Sequence, residues 1–109
     1  WEVADAPRFP HRELLVDTSR HFLPVAALLR IVDSLPYAKI NVLHWHAVDN
    51  QSFPLPSPSM PDLQRMGKWT KREGYSVADV ARVVEFARRR AVRVIAEVDM
   101  PGHAASWCK

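Results

Sequence analysis

The chain has 109 residues, 48% of them apolar and 25% charged, with a formal net charge of +3; this is the composition of an ordinary globular protein, not of a disordered or fibrous one. No run approaches the roughly 20 apolar residues of a membrane span, and the single Cys108 excludes an internal disulfide framework or a cysteine zinc site. The basic residues are scattered except at Arg88-Arg89-Arg90, which falls at the end of a predicted helix where cations complement the helix dipole, so no nucleic-acid partner is read from it.

Residues 1–13 read as an extended approach containing Pro7 and Pro10, without the basic start and apolar run of a secretory leader. Leu14-Leu15-Val16 is a short buried strand that runs into Asp17-Thr18-Ser19-Arg20. Pro24 suits a helix start, and Val25, Leu28, Leu29 and Val32 follow at the i, i+3, i+4, i+7 spacing of one helical face. Pro36 is expected to end that helix. A second strand is predicted over Lys39 to Val48, reaching Asp49. Residues 50–75, with Pro54, Pro56, Pro58 and Pro61, read as a long irregular loop of the kind that tends to carry function. Ser76 and Asp79 form a capping-box pair ahead of a helix with Val80, Val83, Val84 and Ala87 on its apolar face, and Val92 to Val98 is the third strand.

Strand, helix, strand, loop, helix, strand is the alternation of parallel strands with right-handed crossovers. The predicted fold is α/β: the first three parallel strands and two crossover helices of a (β/α)8 barrel, with residues 1–109 as one incomplete barrel domain. A closed barrel takes about 250 residues, and a three-stranded parallel sheet alone leaves two long edges uncovered.

In parallel α/β proteins the active site is built at the carboxyl ends of the strands. Here those ends carry Arg20, Asp49, and Asp99-Met100-Pro101-Gly102-His103. Arg20 offers a fork of donors for paired hydroxyls or a carboxylate. Pro101 and Gly102 turn the chain so that His103 can come back towards Asp99 or across to a neighbouring strand end; a carboxylate on one imidazole nitrogen leaves the other for a catalytic partner. His44 and His46 share a strand face. With His103 and Asp99 they offer a set for a metal-dependent barrel hydrolase, against the plainer alternative of packed, hydrogen-bonded histidines. Trp45, Trp69 and Trp107 are candidates for sugar stacking or for packing. Asn50-Gln51-Ser52 fits the glycosylation sequon, but a glycan at the site mouth would block access, so it is read as unused.

The stretches Pro7-Arg8-Phe9-Pro10-His11-Arg12, Asp17-Thr18-Ser19-Arg20-His21-Phe22-Leu23-Pro24, Lys39-Ile40-Asn41-Val42-Leu43-His44-Trp45-His46, Asp49 with Gln51-Ser52-Phe53-Pro54, and Glu97-Val98-Asp99-Met100-Pro101-Gly102-His103 with Ser106-Trp107 together resemble the catalytic domain of β-N-acetylhexosaminidases, glycoside hydrolase family 20, and the plant enzymes in particular. The resemblance implies release of terminal N-acetylglucosamine or N-acetylgalactosamine from glycans with retention of configuration. In this mechanism the substrate's acetamido oxygen attacks the anomeric carbon, a Glu protonates the leaving oxygen and the adjacent Asp orients the acetamido group.

By the same resemblance Arg20 holds sugar hydroxyls, Asp49 and His103 bound the pocket and tune the acid, and Asp99 steadies His103. No metal or other cofactor is implied, no nucleic-acid or membrane partner, and no particular oligomeric state. A vacuolar, lysosomal or secreted location is implied. The family's Asp-Glu pair occurs nowhere in the 109 residues, so the segment alone is expected to be inactive. Glu13, Ala91 and Cys108 stand where the family usually has glycine. A metal-dependent hydrolase using His44, His46 and His103, or a non-catalytic glycan-binding remnant, stays compatible with the residues.

Overall fold

The computed structural model describes residues 1–108. Three parallel strands form one sheet in the order β1 (Glu13–Asp17), β2 (Val42–Val48), β3 (Arg93–Val98). Helix α1 (Val25–Ser34) connects the first two strands, and α2 (Pro61–Gly67) and α3 (Val77–Arg88) lie between the second and third. The alternation and the parallel pairing are as expected for the start of a barrel.

Side-chain parity decides the layers. Leu43, Trp45 and Ala47 of β2 point to the helix side, where they are fully buried with Leu28 and Val32 of α1 and Val83 and Ala87 of α3. Each buried Leu or Val there contributes about 1.5–3 kcal/mol relative to exposure. Trp45 also satisfies its indole N–H, which donates to Thr18 Oγ1 at 2.8 Å. Tyr75 packs edge-on against it with ring centroids 5.2 Å apart. Burial pushes the Tyr75 phenol up to about 12, and its hydroxyl donates to the Leu23 carbonyl at 2.5 Å.

The ends of the elements follow local chemistry. Ser76 Oγ accepts from the Asp79 N–H at 3.0 Å while the Asp79 carboxylate accepts from the Ser76 N–H at 2.9 Å, a complete capping box at the start of α3. At the other end Ala91 adopts φ 56°, its N–H donates to Arg88 O at 3.1 Å and the Val92 N–H donates to Ala87 O at 3.0 Å. This is the paired bonding of a Schellman turn, whose left-handed residue favours glycine. Of the arginine cluster, Arg88 and Arg89 bind Glu85. Arg90 binds Asp33 of α1 at 2.7 Å and lies 3.4 Å over the Phe86 ring.

Three predicted boundaries are corrected. Pro36 does not stop the helical path: it sits in the first turn of a 3-10 segment, Leu35–Ala38, where its missing N–H is not needed. Lys39 then turns left-handed at φ 56°, so β2 begins at Val42, not at Lys39. The loop after Asp49 contains α2, whose start Pro61 fits for the same reason. Gly67 at its end is forced by space, since a Cβ would lie 2.7 Å from Phe53 Cβ and 3.1 Å from Ser106 O.

Candidate active site

Three loops meet at the carboxyl ends of the strands, and hydrogen bonds hold them together. Ser19 Oγ donates to Ser52 O at 2.8 Å and Ser52 Oγ donates back to Ser19 O at 2.8 Å. Trp69 Nε1 donates to the same Ser19 carbonyl at 2.9 Å. The loop after β3 is tied down by Ser106 Oγ donating to Asp49 O at 2.5 Å and by the Ala105 N–H donating to Asn50 Oδ1 at 3.0 Å. The sequon Ser52 is thus buried in the latch.

This lacing brings Arg20, Asp49 and His103 together. Arg20 Nη2 lies 2.6 Å from Asp49 Oδ2, and His103 Nδ1 lies 3.0 Å from the same oxygen. Nη2 and Nδ1 are themselves 3.4 Å apart because both converge on one carboxylate. Asp17 aims the arginine: its Oδ2 accepts from Nη1 at 2.6 Å while its Oδ1 accepts from the Ser19 and Arg20 backbone N–H groups at 2.9 and 3.1 Å. The Asp17 bond raises the arginine further above its usual range. Burial alone would raise Asp17, but its bonds from Arg20 and Ser19 outweigh that and leave it below the usual carboxylate value.

Asp49 is fully buried. Burial opposes its charge, yet His46 Nε2–H at 2.7 Å, the Asn50 N–H at 2.5 Å, His103 and Arg20 together keep it below the ordinary 3.8. Expected from sequence at the edge of the pocket, Asp49 lies buried behind Arg20 and His103, both of which it contacts. Asp99 also departs from expectation. The carboxylate that His103 meets is Asp49 on β2's extension, and no hydrogen bond joins His103 to Asp99 among the described residues. The turn through Pro101 and Gly102, with His103 itself at φ 57°, carries the ring across to the neighbouring strand end.

Below this cluster, register sets a row across the sheet's open face: Asp17, His46 and Glu97 are direct neighbours on β1, β2 and β3. Glu97 accepts from His46 Nδ1 at 2.9 Å and also contacts His44 Nε2, whose Nδ1 lies 3.3 Å from Glu13. Glu13, at a position where the family usually has glycine, is exposed and also pairs with His11 at 2.9 Å. Sequence reading gave no role to Asp17 or Glu97; period-2 parity was the signal that could have placed both on the histidine face.

The histidine trio imagined for a metal does not assemble. His44 and His46 both turn onto Glu97, and the close donor group is His46, Glu97 and Asp99, with ligand atoms within 4.8 Å of one another. Carboxylates already occupy both His46 nitrogens, so that group reads as an ion-pair network. Beside Arg20 an open cavity of about 510 Å³ is lined by His21, Phe22, Trp69, Thr70 and Glu73. Trp69 is half exposed there, whereas Trp45 is core and Trp107 packs edge-on against Phe53.

Residues 9–109 match the family described as "Glycosyl hydrolase family 20, catalytic domain". Beta-hexosaminidase 3 of Arabidopsis thaliana is 52% identical over 109 residues, covering 100% of this chain and 20% of the relative. Beta-hexosaminidase subunit beta of Mus musculus is 52% identical over 107 residues, covering 98% and 20% respectively. The exo β-N-acetylglucosaminidase of Vibrio harveyi, solved in complex with N-acetylglucosamine, superposes with a TM-score of 0.84 at 30% identity, covering 94% of this chain and 18% of that one. The chain thus spans about a fifth of the length of the curated relatives it matches.

Proposed function

The chain belongs to glycosyl hydrolase family 20, and on that footing we propose that it is the opening part of the catalytic barrel of a β-N-acetylhexosaminidase. The reaction is removal of terminal N-acetylglucosamine or N-acetylgalactosamine from glycans, by the retaining, substrate-assisted route. A vacuolar, lysosomal or secreted location belongs to the same reading. The open sheet supports the barrel assignment: Leu15 and Ile95 face out of it at 52% and 37% exposure, apolar surface that further barrel strands would cover.

The observation that carries the reading is the convergence of Arg20 and His103 on the buried Asp49. Arg20 spends one N–H of Nη1 on Asp17 and one of Nη2 on Asp49, which leaves donors of its fork for the hydroxyls of a terminal sugar. His103 gives Nδ1–H to Asp49, so Nε2 is the nitrogen left to orient the catalytic acid. Acid and acetamido-orienting carboxylate come from an Asp-Glu pair beyond these three strands. Asp49 keeps its charge and holds both partners in place.

The test uses the full-length protein that carries this segment, assayed on aryl N-acetyl-β-glucosaminide and galactosaminide. Wild type turns over, with or without a chelator. Arg20→Ala lowers kcat/KM by about 10- to 100-fold, the equivalent of losing one charge-assisted hydrogen bond of roughly 1.5–3 kcal/mol. No turnover by wild type, or wild-type kcat/KM in the variant, would falsify the reading.

A further inference from the structure

The mechanism above uses Asp49 and His103 but leaves unexplained the carboxylate on the far side of His46. The His46 ring has an acceptor at each nitrogen: Asp49 Oδ2 at 2.7 Å from Nε2 and Glu97 Oε1 at 2.9 Å from Nδ1. An ionised carboxylate can only accept, and a neutral imidazole has one N–H. Both contacts are satisfied together only when the ring carries two protons.

We propose that Glu97 is a positioning residue for the Asp49–His103 pair: by accepting the Nδ1–H of His46 it commits Nε2–H to Asp49 and so fixes the rotation of the carboxylate that receives His103. The consequence for hydrolysis rests on the function proposed above; the state of the His46 ring does not.

The surroundings act in the same direction. Asp17 faces His46 from β1, Glu97 from β3 and Asp99 from the segment just after it, while Asp49 follows on β2's own extension. Against these stand His44 two residues back, the His103 ring at 6.5 Å between centroids, and Arg20 through Asp49. Burial pulls the His46 imidazole down, but the bonds to Asp49 and Glu97 and the charges of Glu97 and Asp17 outweigh it and raise it above the ordinary 6.5. Glu97 is correspondingly lowered: its burial is overcome by bonds to His46 and His44. If Glu97 becomes Gln, His46 needs only one N–H to serve Asp49, and the neutral ring becomes the better state at lower pH. Asp49 then loses the fixed cation that opposes rotation towards Arg20.

The experiment is Glu97→Gln in the full-length protein, with selective ¹⁵N labelling of histidine and kcat/KM measured against pH. Wild-type His46 should show two protonated nitrogens at neutral pH. In the variant its titration moves acidward by on the order of one pH unit, and the alkaline limb of kcat/KM moves with it. Glu97→Asp, which keeps the charge, should recover much of the ring signal. A neutral His46 ring in wild type would overturn the proposal. So would a variant that only melts earlier while its ring titration stays unchanged, because that is what mere packing predicts. An inactive wild type whose ring signals behave as described counts against the hydrolase reading and for this one.

Discussion

On the helix side of β2, Leu43, Trp45 and Ala47 are fully buried under α1 and α3 and rely on close packing. On the opposite side of the same seven residues, His44 and His46 are surrounded by Glu13, Glu97 and Asp49 and rely on charge. The first side is finished within this chain. The second has its polar groups paired, yet the face stays open beside Leu15 and Ile95. One face of the strand is therefore held by packing and the other by charge. The sharpest way to break that division is Trp45→Ala. It removes a fully buried indole and strips Thr18 Oγ1 of its donor, so denaturant unfolding of the full-length protein should lose about 3–5 kcal/mol. A loss of about 1 kcal/mol or less, the size of a surface change, would mean the helix-side face does not hold the sheet.

The charged face is probed by Asp49→Asn, which keeps the side chain's volume and deletes one charge. Arg20, His46 and His103 all aim at that carboxylate, so kcat/KM should fall by on the order of 100-fold, within the range of general acid–base assistance. The pH dependence of stability has a definite sign. Because Asp49 is lowered on folding, its contribution is present above the ordinary 3.8 and disappears as pH falls through its lower folded value. The variant loses Asp49's share of the acid limb, while the lowered Asp17 and Glu97 keep theirs. Identical acid limbs in the two proteins would remove Asp49 from the electrostatic account.

The sequence made this division readable in part. Alternating strand and helix periods and the Ser76–Asp79 pair are local signals, and each produced the element expected of it. Arg20, Asp49 and His103 could be gathered at one rim because parallel strands all end on the same side. Helix α2 was hidden because seven residues with Leu63 and Met66 as their only apolar side chains show no stripe. The residues leave open whether His103 turns back to Asp99 or across to the next strand end, and the resemblance points to Asp99. The path of the turn, which no local pattern encodes, brings the ring to Asp49. Glu97's pairing needs the β2–β3 register that sets it beside His46, and register is a property of two strands at once.

The smallest effect is expected where the packed face meets the next strand. Ala91 holds φ 56° between α3 and β3 and closes the turn that delivers Val92 into the core. A Cβ in that left-handed conformation is strained by roughly 1–2 kcal/mol, and glycine is not. Glycine gives part of this back through the freer unfolded chain, so Ala91→Gly should raise the unfolding free energy of the full-length protein by about 1 kcal/mol. Since Ala91 touches neither Asp49 nor the histidine row, kcat/KM and its pH profile should be those of wild type. A gain in stability with an unchanged profile shows the two faces responding separately. A shifted profile would show that strain at the α3–β3 turn is transmitted along β3 to Glu97, and the two faces would have to be treated as one coupled unit.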